Sequence, residues 1–168
     1  MSWSRPLRRI VFAGLVLGVG AALGACSFSP VYSGALASQP LLDLAYAKPT
    51  NRLEQVIYQE LALRFGSSDA ATAPLATVVA SSSVTTTMLS ATGDPNKALE
   101  VSVTATLTIA PRDGSVTPAQ SFTRTATASY SRSGQVLADN AAAAEAAERA
   151  AKSAAESLRL AVLAALSR

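Results

Sequence analysis

Six apolar side chains in strict alternation mark the clearest element of the chain. Leu99, Val101, Val103, Ala105, Leu107 and Ile109 share one face, while Glu100, Ser102, Thr104, Thr106 and Thr108 share the other. Period two over this length predicts a half-buried strand. A different period governs the segment after Asn51. Leu53, Val56, Ile57, Glu60, Leu61 and Arg64 recur at helical spacing and are mostly apolar, which predicts a helix with its stripe against a sheet. Asn51 or Thr50 can cap its start, and Gly66 suits its C-terminal stop.

The remaining elements follow from weaker patterns. Leu41 to Ala47 is a short apolar run ended by Lys48-Pro49 and reads as a first strand. Thr77 to Leu89 is rich in β-branched residues and predicts a second, with an irregularity at Ser81-Ser82-Ser83. Gly93-Asp94-Pro95-Asn96 then reads as a turn. Arg112-Asp113-Gly114 predicts an Asp-Gly turn after the alternating strand. Phe122 to Tyr130 returns as another strand, with Thr123, Thr125 and Thr127 on one face, and Ser133-Gly134 marks its exit. Asp139 or Asn140 caps a long alanine-rich helix reaching about Ser167. Ala147, Ala151, Ala154, Leu158, Val162 and Leu166 form its expected buried stripe, and Glu145–Arg149 and Glu148–Lys152 stand in the favourable i, i+4 order. The order β-α-β-β-β-α predicts an α+β fold, a small sheet of about four strands with two helices on one face. The other face carries Ser and Thr rather than charge. Such a face is either solvated or enclosed in something larger, where charges would be costly to desolvate.

The N-terminus has a separate logic. Arg5, Arg8 and Arg9 precede an uncharged run, Ile10 to Ala25, that ends in Leu23-Gly24-Ala25 before Cys26. A basic start, a short apolar core and small residues at the cut site make a secretory signal. The run holds 16 residues, whereas a spanning helix wants about 20. Leu-Gly-Ala-Cys makes it look like a bacterial lipoprotein signal, in which the cysteine is acylated and becomes the first residue. Residues 1–25 are then the lipoprotein signal peptide, 26–40 a lipidated tether, and 41–168 the α+β domain. Two or more acyl chains on Cys26, at about 0.8 kcal/mol per buried CH₂, hold a protein stably on a membrane. Ser27, where aspartate would retain many lipoproteins at the inner membrane, points to the outer one.

Composition changes meaning once this signal is removed. The chain has 168 residues and a formal net charge of +3. Without the first 25 residues, 143 remain, Lys+Arg falls from 14 to 11, and Asp+Glu stays at 11. The mature net charge is zero, which takes away the electrostatic case for nucleic acid as a partner. There is no histidine, and Cys26 is the only cysteine. Histidine-based triads, acyl-transfer cysteines and zinc sites built on His or Cys are therefore closed off. The expectation is a protein that is not an enzyme, with no cofactor and no metal. An enzyme would need two of the scattered acids Asp43, Asp94, Asp113 and Asp139 to converge in one pocket.

At Cys26-Ser27-Phe28-Ser29-Pro30-Val31-Tyr32 the chain resembles the lipopolysaccharide-assembly lipoprotein family LptE in its alphaproteobacterial form, which opens on cysteine-x-aromatic-x-proline-hydrophobic-tyrosine. The asparagine-arginine-leucine start of the first helix, the paired hairpins and the long C-terminal helix after Asp139-Asn140 are also similar. Ser27 stands where that family usually has glycine. The resemblance implies a plug and assembly partner of a large outer-membrane β-barrel, LptD, that helps insert lipopolysaccharide into the outer leaflet. It implies no bond made or broken. Lipopolysaccharide carries phosphates and carboxylates, so exposed cations are the candidate contacts: Lys97 and Arg112 at hairpin ends first, then Arg124 and Arg132. The competing expectation is a structural or cell-wall-binding envelope lipoprotein, in which these are ordinary solvated charges.

Overall fold

The computed structural model describes residues 42–86 and 97–167. Every described residue belongs to one compact unit, Pro40–Arg168. Its elements are β1 (Ala45–Tyr46), α1 (Arg52–Phe65), β2 (Leu75–Thr86), β3 (Lys97–Ala110), β4 (Gln120–Arg132) and α2 (Val136–Leu166). The strands lie in the order β1-β2-β3-β4. β1 is parallel to β2, and the rest is an antiparallel meander. This is the α+β arrangement expected from the sequence.

Both helices cover one face. From β3 that face takes Leu99, Val101, Val103, Ala105 and Leu107, all buried, and from β2 it takes Ala76, Val78 and Ala80. α1 contributes Val56, Ile57, Tyr58, Leu61 and Phe65, and α2 contributes Ala150, Ala151, Ala154, Ala155, Leu158 and Val162. Alanines where α2 crosses the sheet let its backbone approach closely. A helix of 31 residues is about 46 Å long, enough to follow β4 from end to end. The 14 residues of α1 reach only about 21 Å. Past Ala80, β2 therefore runs beyond its cover and is exposed to its end, with Val84 at 56%.

Several local expectations change. The first strand is two residues long, because Leu44 makes only an isolated bridge to Ser67. The three serines at 81–83 are in regular register with Thr104, Val103 and Ser102, with no irregularity. β3 and β4 are joined through residues 111–119, longer than a tight Asp-Gly hairpin, although Gly114 has the positive φ (81°) and Asp113 the side-chain turn bond of such a corner. The last helix begins at Val136, ahead of both expected caps. Its buried stripe holds Ala151, Ala154, Leu158 and Val162 as expected and adds Ala146 and Ala150, while Ala147 is half-buried and Leu166 is 48% exposed.

Candidate partner-binding surface

The start of α1 shows how the sheet edge is closed. Asn51 accepts the Glu54 N–H at 2.9 Å as N-cap. Glu54 reaches back and accepts from Thr50 N–H at 2.6 Å and from the Thr50 hydroxyl at 2.8 Å. The backbone of Ala80 adds to their effect on this carboxylate. Glu54 is 4% exposed, and these donors, led by the Thr50 N–H, hold its pKa below the usual carboxylate range despite the opposing effect of burial. One helical turn on, Tyr58 Oη accepts the Val78 N–H at 2.8 Å. Asn51 Nδ2 donates to the Ala80 carbonyl at 3.4 Å. The N-cap Asn51 and Tyr58 of α1 thus bond to β2 where a strand would otherwise pair with it. Sequence reading missed the role of Glu54, although Asn-x-x-Glu before an apolar run is a capping-box signal. Tyr58 stacks edge-on against Tyr46, centroids 5.7 Å apart. Burial pushes the Tyr46 phenol up to about 12.

The candidate cations do not gather into one site. Lys97 opens β3 directly opposite Arg132, the last residue of β4. Arg132 lies 3.6 Å from Asp139. The Asp139 carboxylate accepts from Ser133 N–H (2.8 Å), Ser133 Oγ (3.1 Å) and Gly134 N–H (3.0 Å). These bonds, the Ser133 N–H foremost, lower its pKa. Asp139 therefore ties the β4 exit to the first turn of α2 rather than capping the helix. A cavity of about 250 Å³ lies beside it, lined by Tyr130, Arg132, Val136, Asp139, Asn140 and Ala143.

Arg112 is at the opposite end of the sheet, where its Nε donates to the Ala73 carbonyl at 2.8 Å and pins the loop after β3. Neighbouring Asp113 accepts from Ser115, whose hydroxyl and N–H lower its pKa. A second cavity, about 240 Å³ and mostly apolar, opens there among Leu44, Pro74, Ile109, Pro111 and Val162. Arg124 is exposed in mid-strand opposite Ala105 and donates to the Thr123 carbonyl at 2.7 Å. Eight residues of β3 separate that position from Lys97, roughly 26 Å. Cys26 and Asp94 lie outside the described residues. Asp43 and Asp113 are at one end of the sheet and Asp139 at the other. Among the described residues no cluster of three potential metal-ligating side chains occurs, and no helix is long and apolar enough to cross a membrane.

The uncovered face of the sheet is lined mainly by hydroxyl side chains. β3 presents Glu100, Ser102, Thr104, Thr106 and Thr108, and β4 presents Ser121, Thr123, Thr125, Thr127 and Ser129. Thr104 and Thr125 hydroxyls are 3.0 Å apart, and those of Thr106 and Thr123 are 2.9 Å apart. Charge is concentrated on the helix side instead, in the pairs Arg52–Glu148 (2.9 Å) and Arg149–Glu145 (2.8 Å). Glu148 is drawn to α1 in preference to Lys152, its expected partner. Arg149 also donates to the Ser129 carbonyl at 3.0 Å, blunting the outer edge of β4.

This topology of one short parallel strand, a meander and a helix along its back has been seen before. The fold is that of solved bacterial lipoproteins. A candidate lipoprotein of Caulobacter crescentus CB15 superposes with a TM-score of 0.52 at 19% identity, over 76% of this chain and 92% of that one. Rare lipoprotein B of Shewanella oneidensis gives 0.51 at 17% identity, over 73% and 93%. A minor lipoprotein of Acinetobacter baumannii gives 0.50 at 18% identity, over 72% and 91%. No family profile and no curated protein sequence matches the chain. The lipoprotein fold thus accounts for nearly the whole length of each of these structures.

Proposed function

We propose that this chain is a lipoprotein acylated on Cys26 and held at the periplasmic side of the outer membrane. In this reading it acts as plug and assembly partner of a large LptD-like β-barrel that inserts lipopolysaccharide into the outer leaflet. The observation that carries the proposal is the coincidence of two independent features. The Leu23-Gly24-Ala25-Cys26 signal precedes a domain whose fold recurs in lipoproteins of three bacteria. A plug needs a polar exterior that fits a barrel lumen, and the hydroxyl-covered sheet face supplies one. Its work is binding and scaffolding, with no bond made or broken. Lys97, Arg112, Arg124 and Arg132 are the proposed cations for lipopolysaccharide phosphates. Of the three whose side chains are described, Arg124 is tied only to the carbonyl of its own neighbour, Thr123.

The test is affinity purification of the C-terminally tagged, lipidated protein from detergent-solubilised outer membranes, with mass spectrometry of its companions. A very large β-barrel protein in equal amount is the expected result. Recovery of the chain alone, or with cell-wall fragments, would replace this reading with that of a structural or cell-wall-binding envelope lipoprotein.

A further inference from the structure

The two sides of this domain differ in what they cost to bury. On the helix side, contact with a partner would strip water from the Arg52–Glu148 and Arg149–Glu145 pairs, and the desolvation of such ions can exceed what their attraction returns. On the open sheet face, Glu100 is the only ionisable side chain among the described residues of β2, β3 and β4. It stands near one end. The centre is already partly satisfied, because the Thr104–Thr125 and Thr106–Thr123 hydroxyls bond each other. Each such pair leaves acceptor capacity, and one hydroxyl hydrogen, for a facing polar side chain. The face spans three strands of 12 to 14 residues. That is roughly 550 Å² in plan, of the order of the ~800 Å² each partner gives to a standard interface.

We infer that this Ser/Thr face is the surface that lies against the inner wall of the partner barrel, with the charged helices turned to the water of the lumen. The inference rests on the barrel-partner reading proposed above and adds the side by which the chain docks. The occupant it commits to is a polar β-sheet surface, since inward-facing residues of barrel strands alternate with apolar outward ones and are polar. Sheet against sheet, such surfaces approach to about 10 Å, a distance that Ser and Thr side chains bridge without leaving ions dry.

The test uses the full-length lipidated protein in its own outer membranes, carrying the photo-cross-linker benzoylphenylalanine at one position at a time. Ser102 and Thr125 report on the sheet face, and Lys152 and Ser153 on the exposed side of α2. Irradiation is expected to join the barrel to the first two positions at least about ten-fold more than to the last two. As an independent check, Thr125→Lys should lower the amount of barrel recovered by about ten-fold or more, through burial of an unpaired ammonium, while Ser153→Lys leaves recovery unchanged. Barrel adducts from the α2 positions alone would overturn the inference and leave the proposed function standing. So would sheet-face adducts only to lipid or to a second copy while the barrel still co-purifies. If the barrel does not co-purify at all, the proposed function fails and the inference falls with it.

Discussion

Glu54 is a buried carboxylate whose hydrogen-bond partners are donors: the Thr50 N–H and the Thr50 hydroxyl. An amide in its place would turn an NH₂ group toward some of those donors. Glu54→Gln is therefore expected to destabilise the domain by about 1–3 kcal/mol at neutral pH, measured by urea unfolding. The same residue sets a pH dependence. Its folded pKa is lowered, so its contribution is complete above the ordinary glutamate range and is lost as pH falls through the lowered value. Asp139, also lowered, acts in the same direction. Stability should decline on acidification below the ordinary carboxylate range, and more gently in Glu54→Gln than in the natural chain. Among the cations, Arg112→Ala is expected to cost about 1 kcal/mol because Nε holds the Ala73 carbonyl. Arg124→Ala is expected to stay within about 0.5 kcal/mol and to lower binding of purified lipopolysaccharide.

At the level of elements, the side chains that seal β2 are separable from those that build the core. Tyr58→Phe keeps the ring against Tyr46 but leaves the Val78 N–H without its acceptor. A loss of about 1–3 kcal/mol is expected, with faster amide exchange at Val78 as the local readout. α2 makes the opposite demand, for small size. Ala150→Leu or Ala154→Leu, at positions with no exposure, should overpack the contact with the sheet and cost about 1–3 kcal/mol, read from the thermal midpoint.

These elements also show what a sequence can disclose. β3 was legible because alternation over its whole length has one interpretation. α1 was legible because its stripe, cap and glycine stop agree. The start of α2 was not, because Asp139 looks like a cap while its carboxylate reaches backward to Ser133 and Gly134. An alanine stripe carries little hydrophobic contrast, so the buried line was legible from Ala151 to Val162 but not at its ends, Ala147 and Leu166. β1 was overextended because parallel pairing across a helix is non-local and leaves no periodic trace. The candidate cations were visible as residues, but their separation along the sheet depends on register, which only the structure gives.

For the molecule as a whole, the proposed function makes attachment to the membrane depend on a single atom, the Sγ of Cys26. Cys26→Ser should shift the protein from the membrane pellet to the wash after alkaline extraction, with the domain still folded. The domain itself is a sheet whose growth is stopped by a helix. Asn51 and Tyr58 occupy the hydrogen-bonding row of β2 beyond the two residues that β1 pairs. Until α1 docks, that row is an open template for any extended chain. An exposed edge of this kind is what sheets use to pair with further copies of themselves. By occupying that edge, α1 also serves as a guard against the chain's association with copies of itself.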